Sequence, residues 1–476
     1  MIKKNYLKCL FSLVIVISGF SAFAQTELKS KISDFGTYAP IESASIYIEN
    51  TTIGTISNTD GNFALLVPDR FKNDTLVISS IGYKSFRTAI PDFDPSMDIF
   101  LEEDIASLDE IILVASTRPK TGNDIVLRAI EELEENMPEQ PYIQKGFLRH
   151  KERNKKEYKW LIESAISLYD SSYASGSKKN LRINVEEVRK SYDLRDVDSL
   201  FAYTAYLKNR TRNKALRSKN LRRDTIKTES LITAIKWNDE RVNGLGNLFR
   251  GKLNLVRNAN VRKALFGEDV LNTHQFKLDT ILVENDKKLY KVEIVKSNDF
   301  VGLNTKGIYN EGFEAKGWLY IDWGTYAIKK VEYQLIAASE NQKKRSKSLF
   351  GTQLNHKLVM TFMEYQDKMY PKYIYYETPK LVNAGDRSSD QVDKEGNQVQ
   401  DKEEFYYNTI QEIVFTEIIQ DPELIQEALQ KKWSEDIFSP RPYNKEFWKN
   451  YNVLLESEEE EQLIRDLSTR ASLFKQ

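Results

Sequence analysis

The chain has 476 residues, with 69 Lys and Arg against 70 Asp and Glu, three histidines and one cysteine. This balance excludes nucleic-acid or polyanion binding as a whole-protein property, and one cysteine excludes a disulfide framework. A charged fraction of 29% with 41% apolar residues excludes a disordered chain, and the length calls for two or three domains of roughly 100–200 residues each.

Residues 1–24 read as a signal peptide. Lys3, Lys4 and Lys8 form a basic start, Leu10 to Ile17 an apolar run, and Ala22-Phe23-Ala24 a small-x-small cleavage pattern. The run is too short to span a bilayer comfortably, so no transmembrane span is expected. Removal of the signal takes three lysines from a net charge of −1 and leaves −4. It also removes Cys9, so neither a disulfide nor a cysteine-anchored lipid is available to the mature chain.

Residues 26–101 are all-β by pattern. Ser45-Ile46-Tyr47-Ile48-Glu49 alternates, Asn58-Thr59-Asp60-Gly61 is a turn with glycine free to take positive φ, and Asn62 to Val67 continues as a strand. Leu76-Val77-Ile78-Ser79 is a core strand, and Ile99-Phe100-Leu101 closes the domain. Phe63, Leu65, Val77 and Ile81 are expected to be buried, each costing roughly 2–5 kcal/mol to truncate. At Thr59-Asp60-Gly61-Asn62-Phe63 and Ile81-Gly82-Tyr83-Lys84 the chain resembles the carboxypeptidase-like regulatory domain, a transthyretin-like seven-stranded sandwich. The first motif lacks the usual spacer before its glycine. Leu108-Asp109-Glu110-Ile111-Ile112-Leu113-Val114 resembles the segment that follows this domain where it precedes a TonB-dependent receptor plug. The resemblance implies a binding or docking accessory, with Asp60, Gly61, Phe63, Gly82 and Tyr83 as its turn and core residues.

After a linker at 102–120, residues 121–270 read as mainly helical. Thr121 and Asp124 make a capping-box-like start, Val126, Ala129, Ile130 and Leu133 one stripe, and Pro138 a stop. Lys208, Arg210, Arg212, Lys214, Arg217, Lys219, Arg222 and Arg223 crowd sixteen residues. They are a candidate anion-binding surface for lipid phosphates or acidic polysaccharide, set against the plainer alternative of a solvated face. Interleaved aromatics are absent, which argues against nucleic acid.

Residues 271–420 read as an antiparallel meander: Phe276 to Val283, Lys288 to Val295, Glu314 to Ile321, Tyr326 to Leu335, Lys357 to Tyr365 and Tyr373 to Tyr376. Gly317-Trp318-Leu319-Tyr320-Ile321-Asp322 followed by Tyr326-Ala327-Ile328 resembles the curved half-barrel sheets of periplasmic lipoprotein carriers. Such a sheet either shelters an apolar ligand or packs on helices. Asn383 to Glu404 is a polar insertion, and 421–476 a helical tail in which Phe447-Trp448 either anchors a partner or pins the tail to the domain. The fold class expected is multidomain: an all-β sandwich followed by an α+β domain with a mainly antiparallel curved sheet.

Catalytic motifs fail on chemistry. Gly246-Asn247-Leu248-Phe249-Arg250-Gly251-Lys252 has phosphate-loop spacing, but Leu253 replaces the hydroxyl that would hold magnesium. His150-Lys151-Glu152 is a deaminase-like triplet in a mature chain without thiolates, and neither His150, His274 nor His356 has zinc-peptidase spacing. No G-x-S-x-G elbow occurs. No catalytic, metal or cofactor residues are therefore expected. The function expected is an exported non-enzymatic binding or scaffold protein at the periplasmic face of the outer membrane, docking through its sandwich to an envelope protein or outer-membrane component, with glycan or lipid as further partners. A hydrophobe carrier using the curved sheet, and a hydrolase with unrecognised carboxylates, are the alternatives.

Overall fold

A computed structural model describes residues 25–106, 118–154, 158–192, 199–213, 215–251, 253–259, 266–267, 269–297, 313–383, 404–438 and 441–468. The signal peptide, Leu108 to Val114, Lys214 and the insertion at 384–403 lie outside the described residues.

Seven strands build the front domain: β1 (Gln25–Asp34), β2 (Ser45–Ile48), β3 (Gly54–Ile56), β4 (Asn62–Pro68), β5 (Thr75–Ser79), β6 (Phe86–Ala89) and β7 (Ile99–Leu101). They form two facing sheets, ordered β4-β1-β7 and β3-β2-β5-β6, in which only β1 and β7 run parallel. Period-two alternation decides the faces. Ile46, Ile48, Leu76 and Ile78 enter the core between the sheets with Phe63 and Leu65, so Ser45, Tyr47 and Val77 face outward. Gly61 takes φ +79, and a Cβ there would lie 2.3 Å from the Ile32 carbonyl oxygen, so the turn accepts no side chain. Ile81 is only half-buried, because it sits in the turn before Gly82 rather than in the core strand.

The remaining strands form one antiparallel sheet of eleven. They are β8 (Ile105–Ala106), β9 (Tyr142–Arg153), β10 (Tyr158–Asp170), β11 (Leu181–Tyr192), β12 (His274–Glu284), β13 (Lys287–Ser297), β14 (Phe313–Asp322), β15 (Ile328–Ala337), β16 (His356–Tyr365), β17 (Lys368–Asn383) and β18 (Glu404–Ile419). Their order is β11-β10-β9-β18-β17-β16-β15-β14-β13-β12-β8. The region expected to be mainly helical thus contributes three long strands, β9 to β11, before its helices Ser199–Thr211, Thr228–Asn243 and Leu245–Arg250. Charge obscured them: Lys145, Arg149, Glu163, Glu186 and Arg189 lie on one face and pair across strands, while Leu148, Ile162, Ile166 and Val185 enter the core on the other. The expected linker also supplies β8, an edge strand paired with β12.

The two faces of this sheet are covered differently. The apolar face packs against helix Gly122–Glu131, capped by Thr121 Oγ1 accepting from the Asp124 N–H (3.1 Å), against Leu245, Leu248 and Phe249, and against Leu253 to Ala259. The opposite face carries the sandwich and the C-terminal tail. There Trp448 and Leu454, with Phe447 and Tyr451 beside them, pack on Phe147, Ala165, Tyr373 and Val414. The Phe447-Trp448 pair therefore pins the tail to the sheet. Among the described residues no helix is long and apolar enough to cross a membrane.

Candidate functional site: a cleft between the sandwich and the sheet

The sandwich lies on the sheet through the outward face of β2, β5 and β6, where Tyr47, Val77 and Arg87 are successive cross-strand neighbours. Val77 is fully buried although it lies outside the sandwich core. Named hydrogen bonds fasten the two bodies. The Ile418 N–H donates to Thr52 Oγ1 (3.0 Å), Asn58 Nδ2 to the Glu456 carbonyl (3.0 Å), and the Leu66 N–H to Asn452 Oδ1 (2.8 Å). Asp60 Oδ2 accepts from the Glu458 N–H at the start of helix Glu458–Ser468 (2.9 Å), where a carboxylate also suits the helix dipole. The Gly82 N–H donates to the Val283 carbonyl (3.0 Å). Tyr83 bridges to Glu103, and burial together with Asp34 pushes its phenol up to about 12. The turn residues read from the sequence are thus engaged with the protein's own body.

Where the two bodies separate they enclose a cleft of about 610 Å³, with an adjoining lobe of about 270 Å³ that shares Ser45, Ser79, Glu284 and Lys329. Ser45, Tyr47, Ser79 and Arg87 form the sandwich wall, and β12, β13, β15, β16 and β17 the other. Volume and mixed lining fit a small-molecule site.

Lys372 is the distinctive residue of this cleft. It is 2% exposed, and its Nζ has no hydrogen-bond partner among the described residues. Burial alone brings the amine down to about 7. Backbone register explains its position. On β16 and β17, Thr361 pairs with Tyr373 and Phe362 with Pro371, so Lys372 is the extra residue of a bulge. Strict alternation from Ile374 and Tyr376, which point into the helix-packed core, would have turned Lys372 there as well. Instead it reaches the sandwich side beside Gly54, where an added Cβ would stand 2.9 Å from its Nζ and 2.5 Å from the Ile46 carbonyl oxygen. Only glycine leaves room for the amine at that point.

The other cations of the cleft are matched. Glu364 accepts from Lys287 and Lys329 (2.8 Å each), and against the cost of burial these partners bring its carboxyl down to about 2. Arg87 pairs with Glu49. Burial raises the Glu284 carboxyl against the pull of Lys329 and Lys330, and it raises the Tyr47 phenol, with Glu284 adding to that rise.

The basic stretch is dispersed over several elements. Lys208 and Arg210 lie on helix Ser199–Thr211, with Arg210 donating to the Tyr206 hydroxyl (2.9 Å). Arg212 follows in a left-handed conformation, and Arg217, Lys219, Arg222 and Arg223 lie in or next to two short 3-10 turns. Arg210, Arg212, Lys219 and Arg222 are exposed, whereas Lys208, Arg217 and Arg223 are half-buried.

The histidines are core residues. His274 Nε2 meets the Tyr333 hydroxyl (3.1 Å), and burial lowers its ring to about 4. His356 Nδ1 meets Thr378 Oγ1. His150, on β9, comes together with Glu152 and with Asp239 of helix Thr228–Asn243, their ligand-capable atoms within 4.8 Å of one another. Glu152 there accepts from Asn243 Nδ2 (2.8 Å) and Thr409 Oγ1 (3.2 Å), inside the protein core. Glu412 and Glu460 form a second carboxylate pair with opposed shifts. Burial raises Glu412, whereas Arg149 and Lys151 hold Glu460 down against burial. Glu412 lies on β18 and Glu460 on the tail helix above it, where Arg149 donates to Glu460 (2.7 Å), Glu163 (2.9 Å) and the Leu454 carbonyl (2.8 Å).

Sequence reasoning missed Lys372. A proline inside a central strand marks a bulge, and Pro371 was the signal that could have located it.

Residues 28–113 match the CarboxypepD_reg-like domain model. The chain is 31% identical over 115 residues to the TonB-dependent receptor SusC of Bacteroides thetaiotaomicron, a match covering 23% of this chain and 11% of that receptor. Among solved structures, a putative outer membrane lipoprotein-sorting protein domain from Vibrio parahaemolyticus aligns over 64% of this chain and 98% of its own, with 9% identity and a TM-score of 0.20. A LolA superfamily protein from Nitrosomonas europaea aligns over 64% and 97%, with 9% identity and a TM-score of 0.21. The front module that forms one wall of the cleft is thus a CarboxypepD_reg-like domain.

Proposed function

We propose that this is a non-enzymatic binding protein of the bacterial cell envelope, acting at the periplasmic face of the outer membrane, with its ligand seated in the cleft between the CarboxypepD_reg-like domain and the eleven-stranded sheet. The observation that carries this reading is the cleft itself. Its two walls come from the two domains, and a lysine whose buried amine has no hydrogen-bond partner among the described residues is part of its lining. The sandwich then serves as half of a binding site, and its exposed apolar residues remain for an envelope partner. Phe35, Tyr38, Met97 and Phe100 are exposed on it, with the Tyr38 and Phe100 rings 5.6 Å apart. The signal-peptide pattern of residues 1–24 and the match to part of a TonB-dependent receptor support the location.

Hydrophobe carriage is a second reading. It requires the short helices to part from the apolar cluster that they cover along one face of the sheet.

The test is native mass spectrometry of protein released from the envelope, comparing wild type with Ser45→Tyr, which fills the cleft from the sandwich side. A polar small molecule bound to wild type and lost from the variant is expected. A lipid held equally by both proteins would support carriage instead. No occupant in either would overturn the cleft reading.

A further inference from the structure

We propose that the ligand of this cleft is an anion, and that its carboxylate or phosphoryl-type group is held against the Lys372 amine. The inference rests on the cleft reading and gives it a chemical class.

Three features converge on it. Lys372 is buried with no hydrogen-bond partner among the described residues, an arrangement that costs stability unless something occupies the position. A bulge redirects the side chain from the apolar core to the cleft side, and Gly54, without a Cβ, makes room there for the amine itself. Finally, Lys287, Lys329 and Arg87 are already matched to Glu364 and Glu49, which leaves Lys372 as the cation of this wall able to receive a ligand's charge. Ser45, Ser79 and Asn285 supply hydrogen-bonding groups for the rest of a small polar molecule. Lysine serves here as a point charge, so a carboxylate and a phosphoryl group are equally suited to it.

The arrangement makes binding pH-dependent. The protonated amine is the form that attracts an anion, and its ordinary lysine value has been brought down to about 7. Affinity therefore falls as pH rises through that value, roughly tenfold between pH 6 and pH 8. Of the titratable groups that line the cleft with the amine, Glu364, held at about 2, and Tyr47, raised above its ordinary value, keep their charge state over this range. Arg87 and Glu49 are paired across the sandwich rim, and Asp367 lies on the opposite side. Glu284 is the carboxyl raised by burial, so Glu284→Gln serves as its control.

The experiment is isothermal titration calorimetry of the full mature chain at pH 6 and pH 8. Acetate is the probe for a carboxylate and sulfate the probe for a phosphoryl-type group. Wild type is expected to bind at least one of them saturably, about tenfold more weakly at pH 8, and the preferred probe identifies the source. Lys372→Met should abolish binding while unfolding at the same temperature or higher, and Glu284→Gln should keep the pH profile. Binding unchanged in Lys372→Met, or no saturable binding of either anion, would overturn the proposal. Should Ser45→Tyr lose the envelope ligand while Lys372→Met retains it, the cleft stands and the anion anchor falls. Retention by both variants would remove the cleft reading as well.

Discussion

Arg149 and Lys372 are both fully buried cations on the same face of one sheet, and their surroundings are opposite. Arg149, under the C-terminal tail, donates to two carboxylates and to the carbonyls of Leu454 and Leu455. Lys372, two strands away under the sandwich, donates to no group among the described residues. A buried charge is tolerable when its partners replace water, and Arg149 meets that condition. Lys372 does not, although a neutral side chain would fill its place at lower cost. Burial with full satisfaction marks an element of architecture, whereas burial without it marks a place where something else is meant to sit.

The comparison can be broken by mutation. Arg149→Met removes the cation shared by Glu163 and Glu460, leaving them with Arg189 and Lys151 respectively, and should cost about 3–5 kcal/mol in urea unfolding. Lys372→Met should cost nothing or add stability. Equal losses from the two substitutions would mean that both cations are structural.

A smaller effect sharpens it from the apolar side of the sheet. His274 is also a buried base, but it is held neutral beside Tyr333, with its ring lowered from 6.5 to about 4. A depressed folded value means that the unfolded chain binds the proton first. Stability is therefore complete above about pH 6.5 and declines as pH falls toward 4, by up to about 3 kcal/mol. Urea midpoints at pH 7 and pH 4.5 should fall further for wild type than for His274→Gln. An equal fall in both would place the acid sensitivity elsewhere.

Legibility in the sequence followed the clarity of local patterning. The sandwich was readable because alternation at Ser45 to Glu49, the Asp60-Gly61 turn and the Gly82-Tyr83 pair are short-range signals. The strands from β12 to β17 were readable for the same reason. Strands β9 to β11 were hidden because their outer face is charged, and its charges are neutralised by partners distant in sequence, such as Arg149 with Glu163 and Glu460 and Lys145 with Glu186. The cleft was not legible at all. Its walls join Tyr47 to Phe362 and Gly54 to Lys372 across some three hundred residues, and only the register slip at Pro371 brings the lysine to that side. The basic stretch attracted notice by density, yet its residues fall on a helix, a loop and two short turns.

The most direct test of the central claim is the ionisation of Lys372 itself, followed by nitrogen-15 NMR of the lysine side chains with Lys372→Met to assign the signal. A midpoint at about 7 is expected in the ligand-free protein. A midpoint at the ordinary lysine value of about 10.4 would show that the amine is paired or solvated, and would contradict it.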